Sequence, residues 1–267
     1  MNTRVSVIMG IYNCAETLPE AIDSILSQTY PHWKLIMCND GSTDNTLEIA
    51  KQYQAKAPER IIVIENERNM GLNFTLNHCL EYADTEYVAR MDGDDLSLPE
   101  RLEKEVQFLD DHPEYAIVSC PMIYFDENGD WGKGKNSGEP DIDSLAITTP
   151  FCHAPCMVRR EAYVAVKGYT VDQRLLRMED YHLWIKMYAK GFRGFNLNEH
   201  LYKMRDDRAA KQRRKFKYRI NEARLRFYAI HALKLSPKYY VYVLRPLIVG
   251  LLPPFLYDIL HKARMKH

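Results

Sequence analysis

Residues 87–95 read YVARMDGDD, a short apolar run followed at once by three carboxylates within four residues. The apolar part, residues 87–91, has the length and bulk of a buried strand. Acidic side chains so close together repel one another unless a cation lies among them, and carboxylate oxygens are preferred ligands of Mg²⁺ and Mn²⁺. The segment therefore predicts a divalent-cation site directly after a strand. The structural alternative is a solvated acidic turn that caps a helix beginning near Ser97.

Patterns typical of strands and helices alternate through the first part of the chain. Short apolar runs predict strands, and apolar residues three or four apart predict helices. The order is strand 5–9, helix 18–26, strand 34–38, helix 43–56, strand 61–65, helix 72–82 and strand 87–91. This alternation predicts an α/β fold with a mostly parallel sheet and helices on both faces. Ligands of such sheets bind beyond the carboxyl ends of the strands, so the residues that follow each strand are the first candidates for a site.

The pattern becomes less regular in the second half of the chain. A helix through Leu109 is expected to end near Pro113, and residues 126–140, rich in Gly, Asp and Asn, are expected to form a loop over the site. A long helix rich in Lys and Arg is expected over residues 208–235, followed by an apolar segment over residues 239–260. These two segments predict a helical extension at the C-terminus.

Composition excludes several classes of protein. The chain has 267 residues with 36 basic and 36 acidic side chains, so its formal net charge is zero and no overall field attracts nucleic acid or an anionic membrane. The six cysteines lie mostly inside apolar runs, unlike the spaced cysteines of small secreted domains, and a reducing cytoplasm is expected. The apolar run at residues 5–11 is followed by acidic residues and no cleavage site, which indicates a strand and not a signal peptide.

A second acidic site follows the second predicted strand, in the sequence NDGSTD at residues 39–44. Gly41 permits a tight turn, and Ser42 or Thr43 can cap the next helix, so the segment has a structural explanation. Asp40 differs, because a carboxylate at a strand end beside the crevice can accept hydrogen bonds from a nucleobase N–H or a ribose hydroxyl. These residues alone leave both interpretations open.

The third site is the segment RMEDY at residues 177–181, which precedes an amphipathic helix. Asp180 is expected in the first turn of that helix, where the helix dipole favours an ionised carboxylate. An ionised carboxylate within hydrogen-bond reach of an attacking hydroxyl, about 3 Å, can accept its proton. Helix capping is the alternative role for this side chain.

The order of these sites resembles a known family. The opening VSVI at residues 5–8, the pair Tyr12–Asn13, the passage SILSQTY at residues 24–30 and the motifs NDGSTDNT, MDGDD and EDYHLW closely resemble the large inverting glycosyltransferase family 2 with the GT-A fold. The resemblance covers about residues 3–205. It implies that a sugar is transferred from a nucleotide diphosphate donor to an acceptor hydroxyl, with inversion of configuration.

The resemblance also implies roles for individual residues. It implies that Asp40 contacts the base, that Asp92 lies near the ribose and that Asp94 binds the metal. It further implies that Asp180 is the catalytic base. Other residues expected at the site are Tyr12, Glu16 and Asn69 on the nucleotide side, His153, Glu179 and Trp184 on the acceptor side, and Arg205 beside the diphosphate. Related sequences often carry a histidine soon after this arginine, and it is absent here.

The resemblance implies a nucleotide-binding half at residues 1–95 followed by an acceptor-binding half at residues 96–205, and the remaining residues, 206–267, are expected to form a helical extension. The extension joins a basic cluster, Lys211 to Arg219, to an apolar segment whose proline breaks make it too short to span a bilayer of roughly 30 Å. Apolar surface beside a basic helix is expected at an anionic membrane interface. Core packing and self-association are the alternatives. Nucleic acid is not an expected partner, because no recognisable binding module accompanies the cluster.

A weaker candidate for a metal site is the group Cys152, His153 and Cys156. A structural zinc site takes four ligands, and no convincing fourth ligand accompanies these three. Zinc is therefore disfavoured, and His153 is expected to face the acceptor pocket.

The sequence predicts a metal-dependent, inverting glycosyltransferase at the cytoplasmic face of a bacterial membrane, which uses a saccharide or lipid-linked saccharide acceptor in surface polysaccharide synthesis. Two alternatives belong to other classes. A metal-dependent phosphotransferase or phosphatase would use Asp92 as its nucleophile, but it is expected to carry a threonine or valine where Asp95 and Leu96 stand. A catalytically silent carbohydrate- or lipid-binding relative would keep the fold without hydrolysing a donor.

Overall fold

Residues 3–206 and 216–251 of the chain are described by a computed structural model. The strands are β1 (Val5–Ile11), β2 (Trp33–Asn39), β3 (Ile61–Glu65), β4 (Tyr87–Asp92), β5 (Leu96–Ser97), β6 (Ile117–Ser119), β7 (Met122–Asp126), β8 (Gly129–Lys133), β9 (Met157–Arg159), β10 (Gly194–Asn196) and β11 (Tyr202–Arg205). The helices are α1 (Leu18–Leu26), α2 (Thr46–Lys56), α3 (Leu72–Tyr82), α4 (Arg101–Asp111), α5 (Arg160–Val166), α6 (Glu179–Ala189), α7 (Phe216–Ala232) and α8 (Val241–Leu251).

The larger sheet has seven strands in the order β10-β6-β9-β4-β1-β2-β3. Strand β1 runs parallel to both β2 and β4, and β2 runs parallel to β3. Strand β9 runs antiparallel to its neighbours β4 and β6. The prediction of a mostly parallel α/β sheet is confirmed, and the first four strands lie where the apolar runs predicted them.

Alternate residues of β1 fill two cores on opposite faces of this sheet, as the two-residue period of a strand requires. Val7 and Met9 are fully buried in one core with Leu18 of α1. Ile8 points the other way and is fully buried with Leu76 of α3. Helices therefore cover both faces, and the sheet holds the strand ends that form the site.

The smaller sheet has four strands in the order β5-β11-β7-β8 and was not predicted from the sequence. The predicted loop over residues 126–140 is wrong in its first part, where β7 and β8 form an antiparallel hairpin. Gly129 closes the turn with φ of 105°, a conformation that suits glycine. Tyr124 stacks on Trp131 with ring centroids 5.3 Å apart, which helps to pair the two strands.

Helix α2 begins at Thr46 and not at Thr43 as predicted. Asp44 Oδ1 accepts a hydrogen bond of 3.0 Å from the Thr46 N–H, so the residues before Thr46 form a cap and not a helical turn. The long helix predicted over residues 208–235 corresponds to α7, and the apolar segment predicted over residues 239–260 corresponds to α8. Residues 207–215, which hold most of the basic cluster, and residues 252–267 lie outside the described ranges.

Helix α7 is packed onto the body of the protein. Leu225 and Ala229 are buried in the same core as Trp184 of α6, and Arg226 of α7 donates a hydrogen bond of 2.9 Å to the Tyr242 carbonyl of α8. The core-packing alternative therefore holds for α7. Within residues 3–206 and 216–251, the structure contains no helix with both the length and the apolar character needed to cross a bilayer.

Candidate active site

Three strand ends converge at one edge of the larger sheet. Ile11, the last residue of β1, lies level with Asn39 of β2, and Gly10 lies level with Asp92 of β4. The side chains that follow these strands therefore share one edge. Asp40 and the acidic turn come from different parts of the sequence and meet there, as the alternation of strands and helices predicted.

The acidic turn after β4 gathers three carboxylates. Asp92, Asp94 and Asp95 each offer an oxygen, and these oxygens lie within 4.8 Å of one another. Burial raises the pKa of Asp95 to about 8, with a further contribution from the charges of Asp92 and Asp94. Burial and the Asp92 charge also raise the pKa of Asp94. A solvated capping turn would not bury Asp95 to 2% exposure, so the turn has the features of a cation site.

Contacts from the smaller sheet fix this turn. Asp95 Oδ1 accepts a hydrogen bond of 2.8 Å from the Arg205 N–H, and Arg205 Nε donates one of 3.0 Å to the Asp94 carbonyl. The Arg205 guanidinium also bonds Glu20 of α1 at 2.7 Å and lies 4.6 Å from the centre of the Phe125 ring. Arg205 thus lies beside the acidic turn, and its role beside the diphosphate stays a prediction.

On the nucleotide side, Asp40 is buried and holds the loop that follows β3. Its Oδ1 accepts hydrogen bonds of 2.8 Å from Asn66 Nδ2 and 2.7 Å from the Met70 N–H, and its Oδ2 accepts one of 2.9 Å from the Gly71 N–H. Asn69 lies in this loop and is exposed. Asp40 therefore has a structural role as a loop anchor in addition to its expected role at the base.

The loops after β1 and β2 are interlocked. Asn13 has φ of 47° and donates its backbone N–H to Ser42 Oγ at 3.1 Å, while its Oδ1 accepts from the Thr43 N–H at 2.8 Å. These bonds hold the preceding Tyr12, which is about half exposed, and the exposed Glu16 at the rim of the sheet edge. The two expected nucleotide-side residues are thus free to contact a ligand.

On the acceptor side, Asp180 lies in the first turn of α6 and is half-buried. Burial raises the pKa of its carboxyl to about 6, and the nearby Glu179 charge adds to this effect. The Tyr181 N–H and the positive charge of Arg90 act in the opposite direction. A carboxyl group with this pKa is largely ionised at neutral pH and still basic enough to accept a proton.

Of two other residues expected on the acceptor side, Trp184 lies in the core and His153 lies next to it. Trp184 is fully buried in the core behind α6, so a direct contact with an acceptor is corrected to a packing role. It was misassigned because an aromatic residue in this motif gives no indication of which helix face it occupies. His153 Nε2 bonds the Tyr169 hydroxyl at 2.8 Å, and its ring packs edge-on against Trp184. Burial, and then the Arg90 charge, lower the pKa of His153 and keep the imidazole neutral.

The disfavoured zinc site is not formed. In the part of the chain that the structure describes, Cys152, His153 and Cys156 do not make up a group of metal ligands, whereas the three acids do. The Cys156 thiol instead donates to the Cys152 carbonyl at 2.9 Å.

Sequence reasoning missed Arg90, which lies on β4 two residues before the first acid. Its side chain is almost fully buried, and Nη2 donates a hydrogen bond of 2.5 Å to Asp92 Oδ1. The available signal was an arginine inside an otherwise apolar strand, YVARM.

The fold and the acidic site define a nucleotide-sugar glycosyltransferase of the GT-A class. The model of the glycosyl transferase family 2 matches residues 6–166, and that of the glycosyl transferase family group 2 matches residues 87–263. The chain belongs to glycosyltransferase family 2.

Two relatives illustrate this membership. A Bacillus subtilis (strain 168) protein described as a glycosyltransferase and called EpsE is 49% identical over 98% of this chain and 94% of its own length. The Escherichia coli protein WfaP is 29% identical over 73% of this chain and 74% of its own. WfaP is named as a UDP-Glc:alpha-D-GlcNAc-diphosphoundecaprenol beta-1,3-glucosyltransferase.

Two solved structures share the fold. The S. aureus TarS fragment 1-349 in complex with UDP-GlcNAc has a TM-score of 0.71 and 18% identity, over 94% of this chain and 77% of that chain. The mannosyltransferase PcManGT from Pyrobaculum calidifontis, in complex with GDP-Man and Mn²⁺, has a TM-score of 0.63 and 21% identity, over 99% of this chain and 80% of that chain.

Proposed function

We propose that this glycosyltransferase is metal-dependent and inverts configuration, with Asp94 as a ligand of Mn²⁺ or Mg²⁺ and Asp180 as the catalytic base. The observation that carries the proposal is the grouping of three carboxylates within 4.8 Å after β4. The same Arg90 guanidinium bonds one of these acids and influences the ionisation of Asp180, which supports a shared cleft.

The residues present fit a hard divalent cation. Three carboxylates supply oxygen ligands, and burial followed by the charges of the neighbouring acids raises the pKa of Asp94 and of Asp95, an effect that a bound cation would oppose. Asp94 is the most exposed of the three, so its carboxylate is the most accessible to a cation that also contacts a ligand. When bound, such a cation would act as a Lewis acid that neutralises charge on the departing diphosphate.

The proposed transfer is a single in-line displacement. Asp180 accepts the proton of the acceptor hydroxyl as that oxygen forms a bond to the anomeric carbon. The bond from the anomeric carbon to the diphosphate oxygen breaks in the same step, so the configuration inverts. With a pKa of about 6, Asp180 is about tenfold more ionised than protonated at pH 7.

The donor is proposed to be a nucleotide diphosphate sugar. Tyr12, Glu16 and Asn69 are exposed at the rim where Asp40 follows β2, and they are proposed to contact the nucleotide together with Asp92. The complexes of TarS with UDP-GlcNAc and of PcManGT with GDP-Man support this class of donor.

The acceptor is proposed to be a saccharide or a lipid-linked saccharide in bacterial polysaccharide synthesis, used at the cytoplasmic face of the membrane. The name of WfaP, which specifies a diphosphoundecaprenol-linked acceptor, supports a lipid-linked substrate. Helix α8 supports peripheral attachment, because Val241, Leu244, Ile248 and Leu251 lie on one face and are all more than half exposed.

The deciding experiment measures release of nucleoside diphosphate from a panel of UDP- and GDP-sugars, with Mn²⁺ or with a chelator. We expect Mn²⁺-dependent release from a subset of donors, and product analysis is expected to show inversion. Turnover that is unaffected by the chelator would contradict metal dependence. Release of inorganic phosphate in place of nucleoside diphosphate would indicate the phosphotransferase alternative, and a complete lack of donor hydrolysis would indicate a silent relative.

A further inference from the structure

Arg90 is a charged residue in a position where the surrounding fold favours an apolar one. Its neighbour across the sheet is Ile8, and Val88 lies two residues earlier on the same face of β4; both are fully buried. Arg90 itself is only 4% exposed. Burying a guanidinium carries a large desolvation penalty, so a position that serves packing alone would be expected to hold an aliphatic side chain.

The hydrogen bonds of Arg90 do not account for this burial. Nη2 donates to Asp92 Oδ1 at 2.5 Å, but Nε is buried without a partner among the described residues. The backbone is already held, because the Arg90 N–H bonds the Cys156 carbonyl and the Arg90 carbonyl accepts from Arg101, both at 2.9 Å. The guanidinium is therefore not needed to hold the strand, and its hydrogen bond is made to Asp92, an acid of the site.

Arg90 lies on the same face of β4 as Val88, which is buried in one core with Tyr181 and Trp184 of α6, so its guanidinium is on the side of the sheet that α6 covers. Its charge opposes the effects of burial and of Glu179 on Asp180, and it lowers the pKa of His153. Other groups that interact with Asp180 include the Tyr181 N–H and the Cys152 thiol. Arg90 contributes a positive charge, and it is also bonded to the donor-side acid Asp92.

We propose that Arg90 is a positioning residue that joins the two sides of the site: it fixes Asp92 through Oδ1 and places a permanent positive charge on the side of the sheet where α6 holds Asp180. The inference rests on the proposed function, because it assigns Arg90 its effect through those two carboxylates. Fixing Oδ1 leaves the other Asp92 oxygen, on a side chain that is 30% exposed, to contact the donor. The fixed charge keeps Asp180 in the form that accepts a proton.

The test compares Arg90→Met, which removes the charge, with Arg90→Lys, which keeps the charge but loses the planar fork. The matched control is Arg159→Met, a partly buried arginine on the neighbouring β9 that bonds the Leu109 and Tyr115 carbonyls. Each variant is assayed for thermal stability, for binding of UDP and GDP with Mn²⁺ by calorimetry, and for kcat against pH with the donor found in the panel.

We expect Arg90→Met to move the acidic limb of the kcat profile to a higher pH by about one unit. A nearby positive charge lowers a carboxyl pKa by about 1 to 3 units, and this variant removes that charge from the surroundings of Asp180. Arg90→Lys should keep the wild-type limb, and both variants should weaken binding of the preferred nucleotide by about tenfold, the loss of one charge-assisted hydrogen bond. The double variant with Asp92→Asn should bind no more weakly than Asp92→Asn alone. His153→Gln in the Arg90→Met background should leave the shifted limb in place, because Asp180 and not His153 titrates there.

If Arg90 had a purely structural role, Arg90→Met would lower the thermal stability, as Arg159→Met is expected to do. It would change neither the acidic limb of the kcat profile nor the nucleotide affinity. Such a result would overturn the proposal. If Arg90→Met does not fold, Arg90→Lys decides, because unchanged nucleotide binding in that variant also overturns it. If the wild type transfers no sugar, the proposed function fails separately, and the binding data with Asp92→Asn still judge the role of Arg90.

Discussion

The Arg205 N–H donates a hydrogen bond of 2.8 Å to Asp95 Oδ1, although the two residues are 110 positions apart in the sequence. This contact joins β11 of the smaller sheet to the acidic turn of the larger sheet. Asp95 is the most buried of the three acids, and burial favours the protonated form of its carboxyl group. The hydrogen bond from Arg205 acts in the opposite direction and favours the ionised form.

We predict that Asp95→Asn stabilises the protein against unfolding in the absence of metal at alkaline pH. The folded-state pKa of Asp95 is about 8, above its ordinary value of 3.8, so the folded state binds more protons than the unfolded state between these values. Stability therefore falls as pH rises through this window. Asparagine keeps an oxygen for the Arg205 N–H and carries no charge. Above pH 8 the melting temperature should exceed that of the wild type by about 3 °C or more, and the difference should shrink toward pH 4.

Differential scanning calorimetry with a chelator, at several pH values, measures this difference. Added Mn²⁺ should then raise the melting temperature of the wild type more than that of Asp95→Asn. A melting-temperature difference that does not vary with pH would contradict the assignment of the destabilising charge to Asp95.

We predict that Asp94→Ala removes the stabilisation of the protein by Mn²⁺ together with nucleoside diphosphate. A ligand present at about 100 times its dissociation constant stabilises a fold by about 2.7 kcal/mol, which a thermal-shift assay resolves. Asp94 is exposed, so its removal should leave the melting temperature without ligand close to that of the wild type. The control is Glu59→Ala, an exposed carboxylate before β3 at the opposite edge of the sheet. Full stabilisation of Asp94→Ala by Mn²⁺ would exclude Asp94 as a ligand.

The sequence was sufficient for the parts of the fold and site that follow local rules. Apolar runs predicted β1 to β4, and the strand-end rule predicted that Asp40 and the three acids lie at one edge of the sheet. The β7–β8 hairpin was missed because its Gly- and Asp-rich residues equally favour a loop, and the pairing of Tyr124 with Trp131 is a contact between strands. Arg90 was missed and Trp184 was assigned the wrong position. In both cases burial depends on which residues pack against a strand or helix face, and these residues come from distant parts of the chain.

We predict that Asp180→Asn lowers kcat by about 10² to 10⁴-fold, the range expected for loss of a general base, while the protein stays folded. In the wild type, kcat should fall as pH drops through about 6, because protonation removes the form of Asp180 that accepts the acceptor proton. The pH dependence should be lost in the residual activity of the variant. The neighbouring Glu179→Gln is the control and should keep an acidic limb, shifted slightly downward because Glu179 raises the pKa of Asp180. Near-normal transfer by Asp180→Asn would exclude it as the base.

We predict that Gly41→Ala weakens nucleotide binding and destabilises the fold by about 1–3 kcal/mol. Gly41 has φ of 70°, and a Cβ there would lie 2.7 Å from the Asn69 backbone nitrogen, so the loops after β2 and β3 would have to separate. Gly129→Ala is the matched control, because Gly129 also has a positive φ but has no atom within 4 Å of an added Cβ. Calorimetric titration with UDP or GDP should show a loss for Gly41→Ala alone. Equal nucleotide affinity in both variants would place the nucleotide elsewhere.

Helix α8 provides the test of membrane attachment. Leu244 and Ile248 are 55% and 60% exposed on its outer face, while Arg226 bonds the helix to α7 from the other side. The double substitution Leu244→Glu and Ile248→Glu adds charge to this face without touching the contact with α7, so it should abolish sedimentation with anionic vesicles at low salt and leave transfer to a soluble acceptor unchanged. Val164→Glu, a change at an equally exposed apolar residue of α5, should sediment like the wild type. If the wild type does not bind these vesicles, or if the double variant binds them fully, the apolar face of α8 has no role at the membrane. Either result would favour self-association through this face, which a comparison of the oligomeric states of the two proteins in solution would test.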